Sequence, residues 1–359
     1  MSSPTLTSTP TRPRDRAVSD FTELTRTVQA AGLMKRRPGH YAVRITAAVL
    51  SVLALIATII LVGDSWWQIA VAFAAAVILT QIAFLGHDAA HRQIFAGGRA
   101  NNWTSLVLAD LFVGLSYGWW QRKHTRHHAN PNKIDADPDI EIEALAFTPD
   151  QAAKRTSKLS IWYLNHQGWF FFPLLFLEGV ALHVAAVKRL SSRDKLDHRA
   201  AEIVMMTVRL VGGTALVFLS MSWPIALVFL AVQMGVFGFY MGASFAPNHK
   251  GMPLIPKDSR LDFLRRQVLT SRNIGGGRWV DVLMGGLNHQ VEHHLFPSMP
   301  RPSLRRAKPI VQAYCREHNI PYVQVSLPRS YSIIVSYLNT VGKPDRDPFN
   351  CPMTAMYRV

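Results

Sequence analysis

The chain has little charge, almost no cysteine and few acids. Only 17% of its 359 residues are Asp, Glu, Lys or Arg, against 49% hydrophobic, and the apolar residues gather in blocks. The two soluble domains that length alone would suggest therefore give way to a membrane class. Cys315 and Cys351 are the only cysteines and match no zinc, redox or iron–sulfur spacing. That excludes a disulfide framework and suggests a reduced, cytosol-facing C-terminus. No Gly-rich nucleotide fingerprint follows a strand, and Gly275-Gly276-Gly277 reads as a turn. There is no internal repeat and no signal peptide, since "MSSPTLTSTPTRPRDR" lacks an apolar core and reads as a disordered tail. Acidic residues number 23 against 39 Lys and Arg, a net charge of +16. In a membrane protein such an excess marks cytoplasmic loops, and it also suits anionic lipid, an acidic partner or a phosphate-bearing substrate. No nucleic-acid motif accompanies it, so no nucleic-acid partner is expected.

What is present begins with long uncharged runs. Residues 45–63 and 65–86 are each long enough to cross about 30 Å of hydrocarbon as a helix, with Asp64 between them. Residues 210–248 are also uncharged; as one helix they would extend roughly 57 Å at 1.5 Å per residue. Trp223-Pro224 breaks this run into crossings at 203–222 and 224–245, with Arg209 near the start of the first. Residues 169–187 are apolar but interrupted by Pro173, Glu178 and His183. Lys and Arg flank the hairpins at residues 12–37, 92–126 and 188–199 and in the last third, whereas the two tight turns have none. The positive-inside rule then puts both termini and both large polar regions in the cytoplasm, so the number of crossings is even. Residues 169–187 should lie in the interface, as should 106–120, which contain Asp110 and end in an aromatic "YGWW". The expected fold is an all-α integral membrane protein: four transmembrane helices in two hairpins, interfacial helices and a cytosolic histidine-rich cap. The expected division is a tail at 1–40, a membrane and catalytic domain at 41–325 and a C-terminal tail at 326–359.

The fourteen histidines are mostly grouped. "GHDAAH" holds His87 and His91, "HTRHH" holds His124, His127 and His128, "NHK" holds His249, and "NHQVEHH" holds His289, His293 and His294. Spacings of three and four put side chains on one helix face. With four crossings, His87 and His249 end the second and fourth spans on the side where the other groups lie, so all can converge. Neutral imidazole suits iron, zinc, copper or nickel. So many converging rings exceed one metal's needs and point to two. His40, His166, His183, His198 and His318 read instead as ordinary structural histidines.

These motifs, "GHDAAH", "HTRHHANPN…DPDI" and "GGLNHQVEHHLFP" in that order with two apolar hairpins, resemble the membrane fatty acid desaturases over roughly residues 40–325. The last motif resembles the branch that includes acyl-lipid and front-end desaturases. Many of those carry a fused cytochrome b5 domain, which is not expected here because "RPGH" is not its haem-binding motif. The resemblance implies two iron ions held by His87, His91, His124, His127, His128, His249, His293 and His294. Gln290 stands where relatives have histidine. It is expected near the metal, binding weakly or through water, with His289, Asp88 and Glu292 orienting ligands from behind. The acidic run Asp135, Asp137, Asp139, Glu141 and Glu143 is a solvated loop or a support for the second motif.

The implied reaction inserts a double bond into a long acyl chain, carried as a CoA thioester or on a lipid, with O2 as co-substrate. Cleaving an unactivated C–H bond needs a redox cofactor. The electrons must come from outside, from a ferredoxin or cytochrome b5-like donor fed by an NAD(P)H reductase. The alternative is a di-iron lipid hydroxylase on the same scaffold. A metal transporter would place its ligands at mid-membrane, which these histidines do not do.

Overall fold

The computed structural model describes residues 19–341. Ser19 caps α1 (Asp20–Ala30), whose Leu24 and Val28, four apart, are fully buried against residues of the C-terminal third. The region expected as a tail is therefore packed from Ser19 onward. Four-residue apolar spacing in a polar run signalled this helix; residues 1–18 lie outside the described residues.

Helices α2 (Pro38–Val62) and α3 (Gln68–Ala90) form the first hairpin. α2 exposes Leu50, Leu53, Ile60 and Leu61, whereas α3 buries Val71, Ala72, Ala75, Ala76 and Leu79. The first thus faces the surroundings and the second the core. α4 (Gly98–Leu106) passes into a π-helical turn, Val107–Val113, which ends at Gly114 with φ +94° before α5 (Tyr117–Ala129) starts at its cap Ser116. The single interfacial helix expected at 106–120 is in fact these pieces. A left-handed backbone at Gly114, which only glycine adopts readily, ends one element and lets the next begin.

After a 3-10 turn at Pro138–Ile140 come α6 (Pro149–Ala153) and α7 (Lys158–Ser191), a continuous helix through Pro173. α8 (Arg199–Thr207), a π turn (Val208–Gly212) and α9 (Gly213–Ser220) continue one another, and α10 (Trp223–His249) returns. Ser222 N–H donates to Asp64 Oδ1 at 2.8 Å, so the two turns that lack Lys and Arg meet at the end remote from the histidines. By length and composition α2, α3, α7, the α8–α9 rod and α10 are all apolar enough to cross a membrane. α7 crosses α10 where Gly179 and Gly238 touch, and a Cβ on Gly238 would come within 2.2 Å of Gly179 N.

The C-terminal third comprises α11 (Phe263–Thr270), β1 (Arg272–Gly275), α12 (Arg278–Leu283), α13 (Gln290–Leu295), α14 (Arg301–Glu317), β2 (Val323–Ser326) and α15 (Leu327–Val341). β1 and β2 pair in parallel, Arg272 opposite Val323. α15 occupies the start of the expected C-terminal tail. It buries Ser330, Ile334, Leu338 and Val341 at helical spacing and docks on α7, where Gln167 Nε2 donates to Leu338 O. Residues 342–359 lie outside the described residues.

Candidate metal centre

Each histidine motif sits at a helix end or on a short helix. His87 and His91 stand one turn apart at the end of α3, His249 is the last residue of α10, and His293 and His294 lie on α13. α5 supplies His124, His127 and His128. One ring nitrogen from each of His87, His91, His124, His128 and His293 lies within 4.8 Å of the others, and His127, His249 and His294 form a second such group. In the first, His124 Nε2 is 2.8 Å from His91 Nε2, 3.0 Å from His128 Nε2 and 3.2 Å from His87 Nε2. In the second, the Nε2 atoms of His127 and His249 are 3.3 Å apart. The groups share a wall, because the rings of His128 and His294 stack with centroids 4.2 Å apart.

The electrostatics suit cation ligation. Burial, and then the neighbouring rings, hold His91, His124, His128, His293 and His294 well below the usual imidazole range. They are neutral at pH 7, each with a free lone pair. Nε2 atoms converging on one another make poor mutual hydrogen bonds but a ready cage for a cation. His294 Nε2 and Gln290 Oε1 are buried without a partner among the described residues. A donor set of imidazoles without cysteine fits iron, zinc, copper or nickel rather than magnesium or calcium, so the residues present fit the implied metal pair.

The second ring nitrogens are held from behind, which fixes tautomers. His127 Nδ1 donates to Asp137 at 3.0 and 3.1 Å. Burial opposes protonation of His127, but the charges of Asp139 and Asp137 outweigh it and raise its pKa. Asp137 also accepts the N–H groups of Asn132 at 2.7 Å and Asp139 at 3.0 Å. His249 Nδ1 donates to Thr270 O at 2.9 Å. His294 Nδ1 donates to Gln267 Oε1 at 2.8 Å, and the same amide donates to His128 O at 2.9 Å. Arg272, 1% exposed, donates to Pro247 O and Lys250 O at the end of the helix that carries His249. Asp88 faces His87 Nδ1 at 3.8 Å and pairs with Arg301 at 2.8 Å.

Two expected orienting roles are corrected. Glu292 holds no histidine, because its carboxylate accepts from Asn273 Nδ2 and Tyr322 OH, both at 2.7 Å. On α13, Gln290 and His294 are four apart and share a face, so Glu292 between them points away. His289 precedes α13, bonds Asp281 at 3.1 Å and belongs to neither group. Gln290 lies inside, its amide 2.8 Å from His249 Nε2. Thr270, Gln267 and Arg272 were missed, as none carries a local signal. Asp137 was visible only as one of several acids in a run.

Comparison with known proteins agrees with this geometry. Residues 64–326 match the family described as Fatty acid desaturase. An Acyl-lipid (9-3)-desaturase of Physcomitrium patens is 30% identical over 342 residues, covering 92% of this chain and 64% of that protein. An Acyl-lipid (9-3)-desaturase of Borago officinalis is 28% identical over 279 residues, covering 74% and 62%. A Delta(8)-fatty-acid desaturase of Helianthus annuus is 27% identical over 346 residues, covering 92% and 75%. The chain thus spans less than two thirds of the first two relatives. With most of its length matched and its histidines gathered as described, the chain belongs to the fatty acid desaturase family.

Proposed function

We propose that the chain desaturates long acyl chains, carried on a lipid or as a CoA thioester, at a pair of iron ions. A –CH2–CH2– unit becomes –CH=CH–. O2 takes two electrons and two protons from that unit and two electrons and two protons from outside, and leaves as two waters. The observation that carries this reading is the gathering of five and three histidines into two adjoining cages where long apolar helices end. Bound iron would supply the oxygen activation that an unactivated C–H bond demands and that no side chain here offers. His87, His91, His124, His128 and His293 would hold one ion. His127, His249 and His294, with Gln290 beside them, would hold the other. The protein's own part is to keep rings such as His91, His124, His128, His293 and His294 neutral and to fix tautomers through Asp137, Thr270 and Gln267. The electrons would come from a ferredoxin or cytochrome b5-like protein with its NAD(P)H reductase, for which the basic surface is suited.

The membrane reading is four crossings, α2, α3, the α8–α9 rod and α10, with α7 along the interface and both termini and the metal centre cytoplasmic. In support, both ends of α7 are tied to elements near the histidines. Gln167 bonds Ala146 and Leu338 near its start, and Asp194 just beyond its end faces Arg122 of α5 at 3.8 Å. Residues 41–325 form the membrane and catalytic unit, onto which α1 and α15 pack.

The test is a fatty acid profile by mass spectrometry from a host that lacks its own desaturase and carries a donor–reductase pair. His127→Ala serves as the control. A new unsaturated species that depends on His127 is the expected result. A hydroxylated product instead, or well-loaded protein with fewer than two irons per chain, would overturn the reading.

A further inference from the structure

The run that joins the first hairpin to α5 carries a buried acid, Asp110, and packs against a second, Glu202 of α8, and the chemistry above uses neither. Its breaks release backbone groups that must find partners away from water. Arg209, from the π turn between α8 and α9, donates through Nε to Phe112 O at 2.8 Å. At the start of α5, Tyr117 N–H donates to Asp110 Oδ2 and Gly118 N–H to Glu202 Oε1, both at 3.2 Å, and Trp119 N–H donates to Ser116 Oγ at 3.1 Å. The Ser116 hydroxyl in turn donates to Glu202 Oε2 at 2.5 Å. Three free N–H groups of this helix are thus claimed by two carboxyls and one hydroxyl.

The two acids come from different parts of the chain and are 0% and 1% exposed. Neither forms an ion pair with Lys or Arg among the described residues. Burial, and then the neighbouring Glu202, push the Asp110 carboxyl well up from its usual range. A Cβ at position 118 would lie 2.1 Å from Leu196 Cδ1 and 2.8 Å from Glu202 Oε1, so a larger residue there would push both side chains aside.

Near its first turn α5 has few other anchors. His127 is its only fully buried residue. Yet it gives two ligands to one cage and one to the other, and Trp120, just past the capped N–H groups, stacks on His124 with centroids 4.3 Å apart. A shift of its first turn is carried along a stiff rod to all three rings.

We propose that Glu202, with Asp110 beside it, is a positioning residue that sets the register of α5 and so delivers His124, His127 and His128 to both halves of the metal centre. The proposal rests on the di-iron reading for its consequence but not for its local geometry. The experiment compares wild type, Glu202→Gln, Glu202→Ala and the milder Ser116→Ala as purified full-length proteins. Amide hydrogen exchange is followed in the metal-free form, and iron(II) is counted after anaerobic loading. Glu202→Gln keeps a carbonyl acceptor and should exchange and load like wild type. Glu202→Ala and Ser116→Ala should speed exchange at residues 117–119 about tenfold and weaken both irons, while α2, α3 and α10 exchange as in wild type. If Glu202→Ala does not fold, Ser116→Ala decides. Unchanged exchange at 117–119, or faster exchange with iron binding intact, overturns the proposal. A wild type that takes up no iron defeats the di-iron reading instead, and the exchange data still judge the cap.

Discussion

Replacing Asp137 by asparagine removes one charge and one acceptor from behind the metal centre at nearly constant volume. The carboxylate is fully buried and serves three donors: His127 Nδ1, Asn132 N–H and Asp139 N–H. Asparagine offers one oxygen, and its NH2 must face one of the two backbone N–H groups. Leaving that group unpaired costs about 1–3 kcal/mol of stability. His127 also exchanges a charged acceptor for a neutral one, roughly halving that hydrogen bond and lowering the basicity of the ring. Loss of such a partner typically weakens metal binding about 10–100-fold, roughly 1.4–2.8 kcal/mol. Only the cage of three histidines contains His127, so the effect should be one-sided. Anaerobic titration with iron(II), or with cobalt(II) as a spectroscopic stand-in, should show two tight sites in wild type. In Asp137→Asn one should stay tight and one should be weakened by that factor. Two unchanged sites, or equal loss of both in a folded protein, would refute the assignment of Asp137 to His127 and of His127 to its cage.

Three further outcomes follow from the same geometry. The buried histidines with lowered pKa stay neutral in the metal-free folded protein but take up protons when unfolded. Stability should therefore fall as pH drops below about 6.5, by at most about 1.4 kcal/mol per histidine per pH unit; thermal unfolding of metal-free protein between pH 7.5 and 5.5 checks this, and a flat profile would contradict it. Arg272→Met strips Lys250 O of its donor, whereas Pro247 O keeps Ser330 Oγ; a loss of about 1–3 kcal/mol is expected, read as a lowered melting temperature. Gly238→Ala puts a methyl into the backbone of α7 and should cost at least about 1–3 kcal/mol by overpacking, with α7 amides exchanging faster. Wild-type melting of that variant would mean that the α7–α10 crossing is not tight.

Much was legible in the chain before any coordinates. Uncharged runs marked the hairpins, since hydrocarbon tolerates neither charge nor unpaired backbone, and Trp223-Pro224 marked the turn between the last two. Histidine spacings of three and four fixed which rings share a helix face, because helical periodicity is local. Gln290 was expected near the metal only because it stands where relatives have histidine. Only the tertiary structure decided the rest. The division of eight histidines into cages of five and three depends on how α3, α5, α10 and α13 meet, and no local pattern encodes that. The partners that fix the rings, Asp137, Thr270 and Gln267, are ordinary residues made important by position. Glu292 had the right chemistry beside the right histidines and pointed the wrong way. α1 and α15, taken for tails, became packed helices because surfaces distant in the sequence accept their buried faces. Sequence fixes what one helix can present; which surface it meets depends on long-range packing that a linear pattern does not carry.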